Sequence, residues 1–152
     1  MNHTGKCRTR SKQLLLAFMA MGSFAGVQAQ TIISEVLYDA GSTDNGNVFV
    51  ELFGPPGTLL DGWLLQGVNG ADGNVYRNIL LAGTIPSDGV FLIGDDIGDG
   101  TTLVGGADLV REVDFQNGPD SIVLRDDALI LDALGYGDFS GGVFAGEGSA
   151  AP

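Results

Sequence analysis

Side chains able to do chemistry are unevenly represented in this chain. Beyond residue 30 it carries fifteen aspartates, four glutamates and three arginines (Arg77, Arg111 and Arg125), but no histidine, lysine or cysteine. A serine nucleophile needs an adjacent base, usually His and sometimes Lys. Ser34, Ser42, Ser87, Ser121, Ser140 and Ser149 therefore have no conventional activator. Zinc and copper sites draw on imidazole and thiolate, which this region lacks. No phosphate-cradling glycine motif joins a strand to a helix. Gly94–Gly100 (GDDIGDG) is glycine-rich, but its three acids would repel a phosphate. Only carboxylate chemistry remains.

Carboxylates can act in two ways. A hard cation such as Ca²⁺ takes roughly six to eight oxygen ligands from carboxylates and carbonyls. Asp95, Asp96 and Asp99 share one expected loop and Asp108 follows closely, so these four are the candidates for weak calcium binding. Their spacing is not that of an EF-hand, and a solvated acidic loop is the plainer alternative. A glycosidase, in turn, needs two carboxyl groups facing a sugar. Glu35 and Glu51 lie on neighbouring expected strands and form such a pair. Against that, a strand glutamate commonly accepts hydrogen bonds from backbone or a tyrosine, and a small sandwich has little room for a cleft. No residue is expected to be catalytic or to bind a cofactor, calcium aside. Trp63, the only tryptophan, reads as core before it reads as a sugar-stacking platform. Asp120, in the run Asn117-Gly118-Pro119-Asp120, reads as turn first and ligand second.

The elements that must position these groups are strands. Short runs rich in Val, Ile, Leu and Phe alternate with clusters of Gly, Asp, Asn and Pro, the rhythm of an all-β sandwich or barrel. Eight strands are expected: 31–38, 48–53, 59–66, 75–81, 89–94, 109–115, 121–125 and 129–136. Val48, Val50 and Leu52 share one face of the second, and Phe49, Glu51 and Phe53 the other. The runs Phe91–Gly94 and Ser121–Leu124 are apolar on both faces and suit central strands. Asp72-Gly73 suits a hairpin turn.

The N-terminus belongs to a different regime. Lys6, Arg8, Arg10 and Lys12 precede an uncharged apolar run, Leu14–Val27, and Val27-Gln28-Ala29 has the small-residue spacing of a cleavage site. This order is that of a secretory signal peptide, residues 1–29. The run is shorter than the roughly 20 residues of a spanning helix, so no membrane insertion is expected once it is removed. The rest is then secreted or periplasmic, and without cysteine its core alone must hold it together. Three arginines against nineteen acids leave a net charge of −16 after residue 29. Such a surface repels phosphate backbones, so nucleic acid is not an expected partner.

Several motifs occur in a familiar order. Ile33-Ser34-Glu35-Val36-Leu37-Tyr38 opens the series, Val50-Glu51-Leu52-Phe53 follows, and Leu60-Asp61-Gly62-Trp63-Leu64-Leu65 comes third. Ile85-Pro86 with Gly89–Ile93, Asn117–Leu124 and Asp132–Gly137 complete it. Over about residues 31–140 the chain resembles the lamin tail domain family, in its bacterial exported type. The resemblance implies an immunoglobulin-like antiparallel β-sandwich at 30–140, lacking the family's last strand, with a flexible tail at 141–152. A missing strand would leave an open sheet edge. The family's bacterial members are accessory modules, often attached to exported hydrolases. The expected function is thus a non-catalytic binding or interaction module for a protein or a cell-surface polymer. The alternatives are a structural spacer or fragment of a larger surface protein or exported hydrolase, and, third, a carboxylate-dependent glycoside hydrolase.

Overall fold

The computed structural model describes residues 30–151. The expected signal peptide lies outside them. Among the described residues there is no helix, and hence none long and apolar enough to cross a membrane. Eight strands form two four-stranded sheets, an immunoglobulin-like β-sandwich. The first sheet has the order β1 (Ile32–Leu37), β2 (Phe49–Phe53), β5 (Val90–Asp95), β6 (Leu109–Arg111). The second has the order β4 (Val75–Leu80), β3 (Leu64–Asn69), β7 (Asp120–Asp126), β8 (Leu129–Tyr136). The two strands that are apolar on both faces, β5 and β7, are indeed central. All ladders are antiparallel except β5–β6, which is parallel.

Period two decides which side chains fill the space between the sheets. Val50 and Leu52 of β2, Phe91 and Ile93 of β5, Leu65 of β3 and Ile122 and Leu124 of β7 are buried in one core. Trp63, expected in the core, is half-buried and packs against its edge. At one open side of the sandwich, the Asp132 carboxylate accepts the Ile33 N–H (2.6 Å) and the Gln30 amide donates to the Leu131 carbonyl. At the other, Arg111 donates to the Leu80 carbonyl, and Arg77 to the carbonyl and carboxylate of Glu112.

Two strands differ from their sequence-based bounds by more than a residue. The third starts at Leu64, not at 59, because Leu60–Trp63 makes a turn first. Gly62 has φ 89°, the Trp63 N–H bonds the Leu60 carbonyl, and the Asp61 carboxylate accepts the Gly83 N–H. The sixth stops at Arg111 rather than 115, because the Asp95 carboxylate takes the N–H groups of Val113 and Asp114 out of the ladder. The segment after Ser140, whose composition suggested a flexible tail, lies along β8. Glu147 N–H bonds the Ala133 carbonyl, Ala151 N–H bonds the Gly135 carbonyl, and Ala151 returns an acceptor to Gly137 N–H. The edge beyond β8 is thus partly occupied by the chain itself, and Ala145 covers Val68, Val123 and Ala133 on the outer face of the second sheet.

Candidate functional site

One end of the sandwich collects the loops that matter. β2 begins there, and β3, β5, β6 and β8 end there. The segment 112–119 crosses from β6 in one sheet to β7 in the other. It contributes to two cavities. Glu112 and Asp114 line one, and Gln116–Pro119 line the other.

The smaller cavity, about 300 Å³, is acidic; Asn45, Asp95, Asp96, Ile97, Gly98, Glu112 and Asp114 line it. Asp95 is only 2 % exposed. Its Oδ2 accepts the Gly46 N–H (2.8 Å), and its Oδ1 accepts the N–H groups of Val113 (3.0 Å) and Asp114 (3.2 Å). Three charge-assisted bonds satisfy a carboxylate that would otherwise be expensive to bury. The other calcium candidates also hold backbone. Asp96 accepts Gly98 and Gly100 N–H (both 2.8 Å), Asp99 accepts the Thr101 N–H and hydroxyl, and Asp108 accepts the Leu92 N–H (2.9 Å). The bonds from Gly100 and then Gly98 hold the Asp96 carboxyl below its ordinary pKa. The structure brings Asp95 and Asp96 to one cavity but leaves Asp99 and Asp108 out of its lining. Among the described residues, no three His, Cys, Asp or Glu side chains gather in a metal-holding group. Asp114 was not singled out from sequence. Burial, then the charges of Asp44 and Asp95, raise its pKa, with Arg77 acting in the opposite sense.

The larger cavity, about 530 Å³, lies where the β3–β4 turn, the 116–120 segment and the loop after β8 meet. That volume is within the roughly 300–1,000 Å³ of small-molecule sites. Glycine permits the approach. A Cβ on Gly70 would strike the Pro119 carbonyl, and one on Gly142 would strike the Gly70 carbonyl. The lining mixes polar and apolar groups and lacks a cationic side chain; Asn69, Gln116, Asn117, Asp120 and Asp138 contribute its polar side chains. Gln116 and Asn117 are exposed, and their side chains make no hydrogen bond within the described residues. Asp120 is only 3 % exposed. Its Oδ1 accepts the Gly70 N–H (2.9 Å), while Oδ2 is buried with no partner in hydrogen-bonding geometry. Below it, Tyr136 stacks on Tyr38 (ring centroids 4.2 Å apart) and donates its hydroxyl to the Gln116 carbonyl (2.7 Å). The Tyr76 oxygen accepts the Gln116 N–H (3.2 Å). Burial, with the nearby Asp120 charge adding to it, raises the pKa of both Tyr76 and Tyr136.

Glu35 and Glu51 are direct cross-strand partners, as their expected strands implied. They occupy the outer face of the first sheet and line neither cavity. Glu51 Oε1 accepts the Ser34 hydroxyl (2.7 Å) rather than a backbone or tyrosine group. The three arginines all bond carbonyls: Arg77 that of Glu112, Arg111 those of Leu80 and Val110, and Arg125 those of Asp127 and Ala128. Gln116 and Asn117 carried no signal in sequence beyond their place beside a turn. Set against known proteins, the chain matches no family model and no curated protein significantly.

Proposed function

We propose that this chain is an exported, non-catalytic, lamin-tail-like module that binds a cell-surface polymer at the loop end of its sandwich. The observation that carries this reading is the cavity of about 530 Å³ with unengaged Gln116 and Asn117 side chains at its rim. Amide groups offer both donors and acceptors, which suits a ligand rich in hydroxyls. Asp120 and Asp138 in the lining, on a chain with a net charge of −16 after residue 29, disfavour anionic polymers and leave neutral or amino sugars. The non-catalytic part rests on the absence of any His, Lys or Cys beyond residue 30. A glycan array of neutral and amino oligosaccharides tests the reading. Binding should appear and should drop at least tenfold in the double variant Gln116→Ala, Asn117→Ala, with the fold unchanged by circular dichroism. No retained glycan, or binding indifferent to both substitutions, refutes it.

One further reading has support of its own. A spacer within a larger surface protein or exported hydrolase suits loops braced as tightly as those at Asp95 and Asp96. It predicts an empty array.

A further inference from the structure

The outer faces of the two sheets are treated differently. The chain's own tail reaches across the second, where Ala145 seats on Val68, Val123 and Ala133. On the first, the loop between β5 and β6 covers only the corner beside Phe49, where Thr102 and Ala107 stand over Gly94. Its pairing register puts three outward rows side by side. Leu37 and Phe49 form the upper row, Glu35, Glu51 and Leu92 the middle one, and Ile32, Phe53 and Val90 the lower one. The pairing places partners on the same face, and the burial pattern agrees. Val50 and Leu52 are fully buried, whereas Phe53 is 49 %, Ile32 41 % and Leu37 36 % exposed. Two carboxylates directly opposite each other are unfavourable in a sheet, and no arginine reaches them, since all three are engaged elsewhere. Apolar rows on both sides of an unneutralised acid pair form a surface with a specific complement.

We infer that this face docks a partner segment presenting a cationic side chain flanked, two residues away on either side, by apolar ones. A strand advances about 3.3 Å per residue, so alternate side chains of an extended segment match the spacing of the three rows. The cation enters between Glu35 and Glu51, and the apolar neighbours cover Phe49 on one side and Phe53 on the other. A second copy of this chain is the wrong occupant, because its net charge after residue 29 is also −16 and its arginines already bond carbonyls. This surface is separate from the loop-end cavity, so it extends the proposed binding role without depending on it.

The probe is the capped pentapeptide acetyl-Leu-Thr-Arg-Thr-Leu-amide. It is titrated into the ¹⁵N-labelled chain, expressed with its own N-terminus, and followed by NMR. Shifts should centre on Glu35, Glu51, Phe53 and Leu92. Replacing arginine by neutral citrulline should weaken binding at least tenfold, as should the double variant Glu35→Gln, Glu51→Gln, and added salt should weaken it too. Equal binding of the citrulline peptide refutes the charge argument while leaving an apolar docking face. No shifts with either peptide, or shifts centred elsewhere, remove the face altogether. Concentration-dependent shifts of the same residues without peptide would name a second copy as the occupant and overturn the inference. None of these results bears on glycan binding at Gln116 and Asn117.

Discussion

Asp95 is the most exacting test of how this fold is held. Its carboxylate is buried and receives three backbone N–H groups, from Gly46, Val113 and Asp114. These bonds tie the loop before β2 and the segment after β6 to the end of β5. Asp95→Ala leaves three donors without their acceptor. An orphaned buried donor costs about 1–3 kcal/mol. The adjoining cavity of about 300 Å³ lets water recover part of that, most readily at the half-buried Asp114. The net loss should be about 3–5 kcal/mol, a large share of the roughly 5–15 kcal/mol that holds a domain of this size together. Asp95→Asn keeps one acceptor oxygen and turns an NH₂ group toward N–H donors already in place, for a loss of about 2–3 kcal/mol. A domain of this length loses roughly 4 °C of melting temperature per kcal/mol, so the alanine variant should melt about 12–20 °C lower. Urea denaturation measures both variants, and an unchanged slope would confirm that the native and unfolded states remain comparable. If Asp95→Asn stays within about 1 kcal/mol of the parent, the three bonds do not brace the loops.

The remaining expectations use neighbouring carboxylates. Asp120 uses only one oxygen as an acceptor, so Asp120→Asn keeps the bond from Gly70 and removes a buried charge. It should be neutral or stabilising in urea denaturation, and a loss comparable to that of Asp95→Asn would show that Oδ2 has a partner after all. Asp114 has a folded pKa raised by burial and by Asp44 and Asp95, so its ionised form weakens the fold at neutral pH. Asp114→Asn should therefore be more stable than the parent at pH 7. The advantage should shrink as pH falls through the raised pKa and vanish below the ordinary value of 3.8, where both forms are neutral; stability curves from pH 3 to 7 decide it. Calcium should give no saturable heat below millimolar concentration at physiological ionic strength, since Asp95, Asp96, Asp99 and Asp108 each hold backbone and do not converge. A saturable isotherm abolished by Asp96→Asn would refute this and establish calcium binding at the loop.

How far the sequence could be read depended on whether the deciding signal was local. Strand existence was local. Alternation in Val48–Phe53 and the doubly apolar runs at 91–94 and 121–124 are set by which faces are buried, and the sheets bear them out. The end of β6 was not local, because Leu109–Phe115 alternates perfectly well as a strand. What stops the ladder is a carboxylate from another strand, and period two carries no trace of it. The acid cluster shows the same limit from the other side. Proximity in sequence made Asp95, Asp96, Asp99 and Asp108 look like one site. The fold instead directs each at a nearby N–H and places Asp114, from beyond β6, against the cavity. Glu35 and Glu51 were legible as a pair because adjacent strands of known phase leave little freedom, and the size of the sandwich already argued against a cleft; the Ser34 hydroxyl as the partner of Glu51 was not legible.

The acids themselves divide along a chemical line that gives the charge a meaning. Eleven of the fifteen aspartates accept a backbone N–H, at positions 44, 61, 72, 88, 95, 96, 99, 108, 120, 132 and 138. No glutamate does so among the described residues. The reason is reach. At 44, 72, 88, 96, 99 and 138 the short side chain meets an N–H two to four residues away in a turn, a bond that the longer glutamate makes less readily; at 61, 95, 108, 120 and 132 it braces a segment at least sixteen residues away. Much of the negative charge therefore holds backbone, within turns and between segments, and says little about a ligand. The informative carboxylates are the ones with no backbone to hold. Glu35 and Glu51 are of that kind, set opposite one another among exposed apolar side chains. Backbone bonds account for eleven of the aspartates, whereas this pair has only the Ser34 hydroxyl on Glu51, which is why the outer face of the first sheet is the place to look for a partner.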